Sequence, residues 1–139
     1  MFSYSDLVQI AELNRTEFHP DERLSSPETI RDWIQDNNGA IMLTRDGSIV
    51  TAYIAYYRTG DTFTIHRKAT RPDYRRQGLA VRLQVRLLRK ARKLNCEVST
   101  YTARENLTVV NYNARLGFRI IKIGKRWVKM LWRPNIHKA

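Results

Sequence analysis

Six consecutive residues, Arg75–Ala80 ("RRQGLA"), have the types and the order to hold a phosphate. They stand between a strand pattern and a long helical pattern. The first N–H groups of a helix lack internal partners, and the helix dipole adds positive potential there. Gly78 lets the backbone approach a ligand closely, and Ala80 is nearly as small. Arg75 and Arg76 can add charge-assisted bonds to phosphate oxygens. Two other phosphate cradles do not fit. No G-x-x-x-x-G-K-[ST] run exists, and one glycine cannot make a G-x-G-x-x-G fingerprint. A plainer reading stands beside this one: Gly78 caps a turn and the arginines form a solvated helix face.

The elements that must position this loop can be read from periodicity. "SDLVQIAELN" places Leu7, Ile10, Ala11 and Asn14 at helical spacing, with Ser5 as cap. "SPETIRDWIQDNNG" reads as a second helix, with Ser26 as cap, Pro27 in the first turn and Gly39 as the stop. Two strands follow around Asp46-Gly47, then a turn at "TGD" and a third strand, Thr62–Thr70. The long helix after the loop carries Leu83, Leu87, Ala91 and Leu94 as its apolar stripe. A strand, "CEVSTYTA", precedes a shorter helix, "ENLTVVNYNARLG", ending on Gly117. "FRIIKI" and "RWVKMLW" close the chain as two strands. This order predicts an α/β fold, one mixed and mostly antiparallel central sheet flanked by helices, in a single domain of residues 1–139.

Charge is spread unevenly. Residues 1–61 hold five Lys/Arg against ten Asp/Glu; residues 62–139 hold twenty against three. The second half expects an anion. Residues 75–95 contain eight Lys/Arg and no acid, and six of these lie on the helix at Arg82, Arg86, Arg89, Lys90, Arg92 and Lys93. A solvated face usually mixes signs, so RNA, DNA or the ribosome stays a candidate partner through Arg82–Lys93. The lone cysteine, Cys96, excludes an internal disulfide and points to a reducing, cytoplasmic setting. No signal-peptide pattern opens the sequence, and "SIVTAYIAYY" is too short and polar to span a bilayer.

"RRQGLA" resembles the R/Q-x-x-G-x-G/A motif of the GNAT superfamily, the GCN5-related N-acetyltransferases. "NLTVVNYNARLGF" resembles that family's second signature, an Asn followed at fixed spacing by Leu-Gly-Phe. The resemblance covers about Ala40 to Trp132. It implies acetyl-CoA as cofactor. Backbone groups of Ala69, Thr70 and Arg71 would pair with the pantetheine arm like an added strand. The N–H groups of Arg76, Gln77, Gly78, Leu79 and Ala80 would cradle the pyrophosphate, with the Arg75 side chain over it and Asn106 on the pantetheine.

At the catalytic positions the chain departs from the pattern. Many members carry a Tyr five residues before the final Phe; here that residue is Asn113, and Tyr112 is one step away. One step on a helix turns a side chain by ~100°. Asn113 is therefore expected to bond the CoA sulfur or amide ahead of Tyr112, which is either general acid or packing. The strand before the motif has no carboxylate. His66 is its only imidazole, and is either the base or an ordinary strand residue. His19 lies in the loop where this family commonly binds acceptors, and Glu17, Asp21 and Glu22 there suit a cationic amine. His137 reads as inert, Cys96 as a buried thiol, and Trp127 and Trp132 as rim and core. The three histidines lack zinc spacing, so no metal is expected.

Three functions follow. The first is acetyl transfer from acetyl-CoA to a primary amine, on a small molecule or a protein, by direct attack. The second is the same chemistry on an amine carried by nucleic acid, such as an aminoacyl-tRNA or a modified base. The third is a non-catalytic module that binds CoA or nucleic acid.

Overall fold

The computed structural model describes residues 2–17 and 20–134. His19 and His137 lie outside the described residues. The strands are β1 (Gly39–Asp46), β2 (Ile49–Thr59), β3 (Thr62–Thr70), β4 (Glu97–Ala103), β5 (Arg119–Ile123) and β6 (Trp127–Trp132). The helices are α1 (Tyr4–Arg15), α2 (Pro27–Asp36), α3 (Leu79–Leu94) and α4 (Leu107–Arg115). The strand order is β1-β2-β3-β4-β6-β5, a mixed sheet as the sequence predicted. The chain forms two compact units. One comprises Met1–Tyr57 and His66–Arg86, the other Arg58–Ile65 and Leu87–Ala139.

In the first unit, α1 buries Leu7, Ile10, Ala11 and Asn14, the expected stripe. Its cap is Ser3 rather than Ser5. Ser3 accepts from the Asp6 backbone, and the Asp6 carboxylate accepts from the Ser3 N–H, a closed capping box. Ser26 caps α2 as expected. Gly39 does not stop α2, which ends at Asp36 with Asn38 at φ 52°. Gly39 opens β1 beneath the Trp33 ring; a Cβ there would lie 2.7 Å from Trp33 Cζ3. β1 and β2 form the predicted hairpin, with Asp46 opposite Ile49 and Gly47 at φ 60°. β2 is buried from Val50 to Tyr56, which explains its mostly apolar run.

In the second unit, Thr62–Ile65 of β3 runs parallel to Glu97–Thr100 of β4. β4 pairs antiparallel with β6, and β6 with β5. Of the α3 stripe, Leu83 in the first unit and Leu87 and Ala91 in the second are fully buried, but Leu94 is 46% exposed. The helix ends there: Asn95 turns left-handed at φ 53°, and the Cys96 N–H donates to Ala91 O. Cys96 is buried just before β4 rather than opening it. Gly117 follows α4 at φ 103°, the expected end. Trp132 is buried and Trp127 is exposed.

Candidate active site

β3 leads into the Arg75–Ala80 loop, and α3 leaves it. Arg76 sits at φ 68° and Gly78 at φ 71°, with Gln77 between them. A left-handed non-glycine residue costs roughly 1–2 kcal/mol, so this shape is maintained against strain. Left-handed residues in a loop can turn successive N–H groups inward as an anion nest. Gly78 O accepts from Arg82 N, which makes Gly78 the residue that starts α3. The N–H groups that follow have no partner inside the helix. A Cβ on Gly78 would meet nothing within 4 Å. Its backbone angle, not lack of space, demands glycine. Arg75, Arg76, Gln77 and Gly78 are exposed, Ala80 half-buried and Leu79 buried.

Upstream, Arg71 is anchored inward. Its N–H donates to Thr51 O at 2.7 Å, and its guanidinium donates to Val50 O and to Gln9 Oε1. The Arg71 N–H is thus already engaged within the sheet. Arg75 Nε donates to Thr70 O, which folds that arginine over the end of β3. Ala69 is buried and Thr70 is half-buried.

His66 also lies on β3, and it is not a solvent-facing strand residue. Its Nε2 bonds Asp21 Oδ2 at 2.5 Å. An ionised carboxylate only accepts, so Nε2 carries the proton and Nδ1 the lone pair. The imidazole stacks on Trp33 at 5.0 Å and meets the Tyr57 ring edge-on at 6.3 Å. Burial pushes the His66 pKa below its ordinary value, and the Asp21 carboxylate opposes this only in part. Burial also acts on Asp21, in the upward direction. Its bonds from Arg23 and His66 prevail and hold its carboxyl below the usual range. Asp21 is fixed from behind by Asn14, which is fully buried on α1. Asn14 Nδ2 donates to Asp21 O at 2.7 Å, and Asp21 N donates to Asn14 Oδ1 at 3.0 Å. Sequence reasoning did not single out this role for Asn14. Its polar side chain on an apolar stripe was the available signal.

Trp33 also lines a cleft of about 310 Å³ whose charged lining is Glu22, Asp32, Asp36 and Arg23. Two residues after His66, Lys68 is half-buried and donates to Gln84 Oε1 at 2.8 Å. Burial lowers its pKa to about 8. Gln84 is fully buried on α3. Neither residue was flagged by sequence.

In the second unit, Asn106 caps α4, accepting from Val109 N at 3.3 Å. Asn113 is fully buried, and its Nδ2 donates to Thr102 Oγ1 and lies 3.8 Å from Met130 Sδ. This corrects the expectation that Asn113 faces a ligand ahead of Tyr112: it points into the interior. Tyr112, one step round the helix, is half-buried, and burial raises its pKa. It stays protonated at neutral pH and so remains a proton donor. Among the described residues, no group of three or more His, Cys, Asp or Glu is placed to hold a metal. Nor is any helix long and apolar enough to cross a membrane.

A family model, Acetyltransferase (GNAT) family, matches residues 7–118. The chain belongs to the GNAT acetyltransferases. That span takes in α1 from Leu7 onward, the His66 strand, the Arg75–Ala80 loop and α4. Solved GNAT structures share the fold. The ribosomal-protein-S18-alanine N-acetyltransferase from Escherichia coli has a TM-score of 0.79 at 20% identity, covering 95% of this chain and 90% of that one. The PaiA N-acetyltransferase from Thermoplasma acidophilum, solved in complex with coenzyme A, has a TM-score of 0.77 at 15% identity, with 95% of each chain covered. YncA from Salmonella typhimurium, a putative acetyltransferase solved with acetyl-CoA, has a TM-score of 0.75 at 19% identity, covering 99% and 94%. No functionally curated protein matches the sequence. At these identities the likeness is one of fold.

Proposed function

We propose that the chain acts as a single N-acetyltransferase domain that moves an acetyl group from acetyl-CoA to a primary amine by direct attack. The observation that carries this reading is the Arg76–Gly78 loop, held left-handed at two positions where α3 begins, in a chain of this family. The loop N–H groups take the pyrophosphate, Arg75 covers it, and the backbone of Ala69 and Thr70 takes the pantetheine arm.

The acceptor must lose a proton before it attacks, since a lysine-like amine has a pKa of ~10.4. His66 is the base. It is neutral at pH 7, and its Nδ1 holds the lone pair while Asp21 fixes the tautomer. Asp21 then stabilises the imidazolium that forms, the logic of a base oriented by a carboxylate. Tyr112 returns a proton to the departing thiolate. In the lining of the Trp33 cleft Glu22, Asp32 and Asp36 outnumber Arg23, which favours an acceptor that carries positive charge.

A second acceptor class, an amine borne on nucleic acid, is favoured by one observation. The helix from Arg82 to Lys93 has six cations and no acid. The non-catalytic module has less support, because β3 carries a histidine with a carboxylate partner.

The first test is the melting temperature with acetyl-CoA, desulfo-CoA or ATP. A rise with acetyl-CoA larger than with ATP supports the cradle. Thiol release in the presence of spermidine, a lysine peptide and an aminoacyl-tRNA then ranks the acceptors. No selective shift, or no thiol release with any amine, overturns the enzyme reading.

A further inference from the structure

The outer face of β4, β6 and β5 is unlike an ordinary solvated sheet. Residues directly opposite in an antiparallel pair point to the same side. Tyr101 is opposite Lys129, and Lys129 is opposite Lys122. The neighbouring rows set Ala103 opposite Trp127, and Ser99 and Arg119 on either side of Leu131. Tyr101 and Trp127 are both 53% exposed. They are diagonal neighbours across β4 and β6, at a typical spacing of about 7–8 Å. Lys129 Nζ lies 5.5 Å from the Tyr101 ring centroid.

Two features say that this arrangement answers to an anion. Lys122 and Lys129 are like charges placed directly across a strand pair, which by itself is destabilising. A register shift between Ile120 and Lys122 is what sets Lys122 opposite Lys129. Without that extra residue Lys122 would face the other side. The carboxylate at the far end of the same face, Glu97, is occupied by Arg133 at 2.7 Å. Residues 87–139 hold thirteen Lys/Arg against two acids, so the surroundings reinforce the sign.

We propose that this face is a binding surface for single-stranded nucleic acid. Tyr101 and Trp127 offer flat rings on which bases stack, and Lys122, Lys129 and Arg119 meet the phosphates. Aromatic rings interleaved with cations on an open sheet suit bases, which have π-faces, better than an acidic peptide, which has none to offer. The surface differs from the α3 stripe and does not depend on the acetyl-transfer reading.

The test uses the full chain and a twelve-nucleotide oligoadenylate, with heparin as a polyanion that has no bases. Trp33 and Trp132 are buried, so quenching of tryptophan emission reports on Trp127. The oligonucleotide is expected to bind, to quench that emission, and to weaken steeply between 50 and 200 mM salt. Tyr101→Ala and Trp127→Ala are each expected to weaken binding about tenfold. Trp127→Phe keeps most of the affinity, and heparin binding changes little in any of them. Both aromatic positions are exposed, so the variants should melt close to the parent protein. Equal binding of the oligonucleotide by the parent and both alanine variants overturns the proposal, as does no binding at 50 mM salt. Loss of self-association in Trp127→Ala with unchanged oligonucleotide binding also overturns it, and assigns the face to a second copy of the chain.

Discussion

Asn14 holds Asp21 by two hydrogen bonds to its backbone, one given and one received, and Asp21 in turn holds His66. The carboxylate is aimed by a buried amide on a different element. His66 titrates below its ordinary value, so the unfolded chain takes up the proton first as the pH falls. Stability is therefore present above about 6.5 and lost as pH drops from there through the folded pKa. Asp21, also lowered, contributes above about 3.9 and is lost as pH falls through its own folded value. We expect kcat/KM to fall on the acid side with a midpoint below 6.5. His66→Gln should remove that limb and lower kcat/KM by about 100-fold or more. Asp21→Asn should move the limb to still lower pH, because the carboxylate opposes the downward shift. An unchanged pH profile in His66→Gln would remove the histidine from the mechanism.

Gly78 tests the phosphate loop. Gly78→Ala meets no steric obstacle but must hold φ 71°. It should cost about 1 kcal/mol in stability and abolish the melting shift with acetyl-CoA. Gly78→Asn should be milder, since asparagine tolerates the left-handed region. Retention of the full shift in the alanine variant would mean the loop does not need this shape to bind.

Gly39 tests whether the His66 environment depends on packing. A methyl group there presses on Trp33 at 2.7 Å, and Trp33 stacks on His66. Gly39→Ala should destabilise by about 1–3 kcal/mol and shift the acid limb as well. A loss of stability with an unmoved limb would show that the stack leaves the imidazole unaffected.

Lys68 carries a different pH signature. Its folded pKa of about 8 lies below the ordinary lysine value, so the unfolded chain binds more protons between the two. Stability should rise with pH above 8, by at most about 3 kcal/mol. Melting curves between pH 7 and 9.5 should show this rise, and Lys68→Met should flatten it. At pH 7 that variant should be close to neutral. It sheds the burial of a charge, but it also takes away the Gln84 Oε1 bond, a loss of about 1–3 kcal/mol. A parallel rise in both proteins would place the titration elsewhere.

Tyr112 and Asn113 should separate chemistry from packing. Tyr112→Phe is expected to lower kcat by at least about 100-fold while leaving the acetyl-CoA shift intact. Asn113→Ala should lower the melting temperature through loss of its buried amide contacts, with a much smaller effect on kcat. The reverse ranking would restore Asn113 as the residue that meets the cofactor.

The loop shape at Arg75–Ala80 was legible because local chemistry defines it: a glycine, flanking arginines and a helical period that starts at once. The strands and helices were legible for the same reason. The cap of α1 was misread between two serines. The Ser3–Asp6 spacing, a serine with an acid three residues on, held the answer. Gly39 looked like a helix stop because the ring above it is set by tertiary packing. The Asp21–His66 pair joins residues 45 positions apart, and no local period encodes it. Asn14 and Gln84 were passed over because polar residues on buried faces only disclose their partners in three dimensions. The ~100° step said that Tyr112 and Asn113 face different ways, but sequence could not say which of the two turned inward.

All five residues of β5 are exposed, including Ile120, Ile121 and Ile123. A terminal strand with open hydrogen-bonding groups and three isoleucines is a template for another chain to add to. Arg119 and Lys122 interrupt it as gatekeepers, keeping approaching copies apart by repulsion. The same cations that would receive phosphates would thus also oppose pairing along this edge. Neutralising them to weaken ligand binding would exchange that loss for a tendency to aggregate.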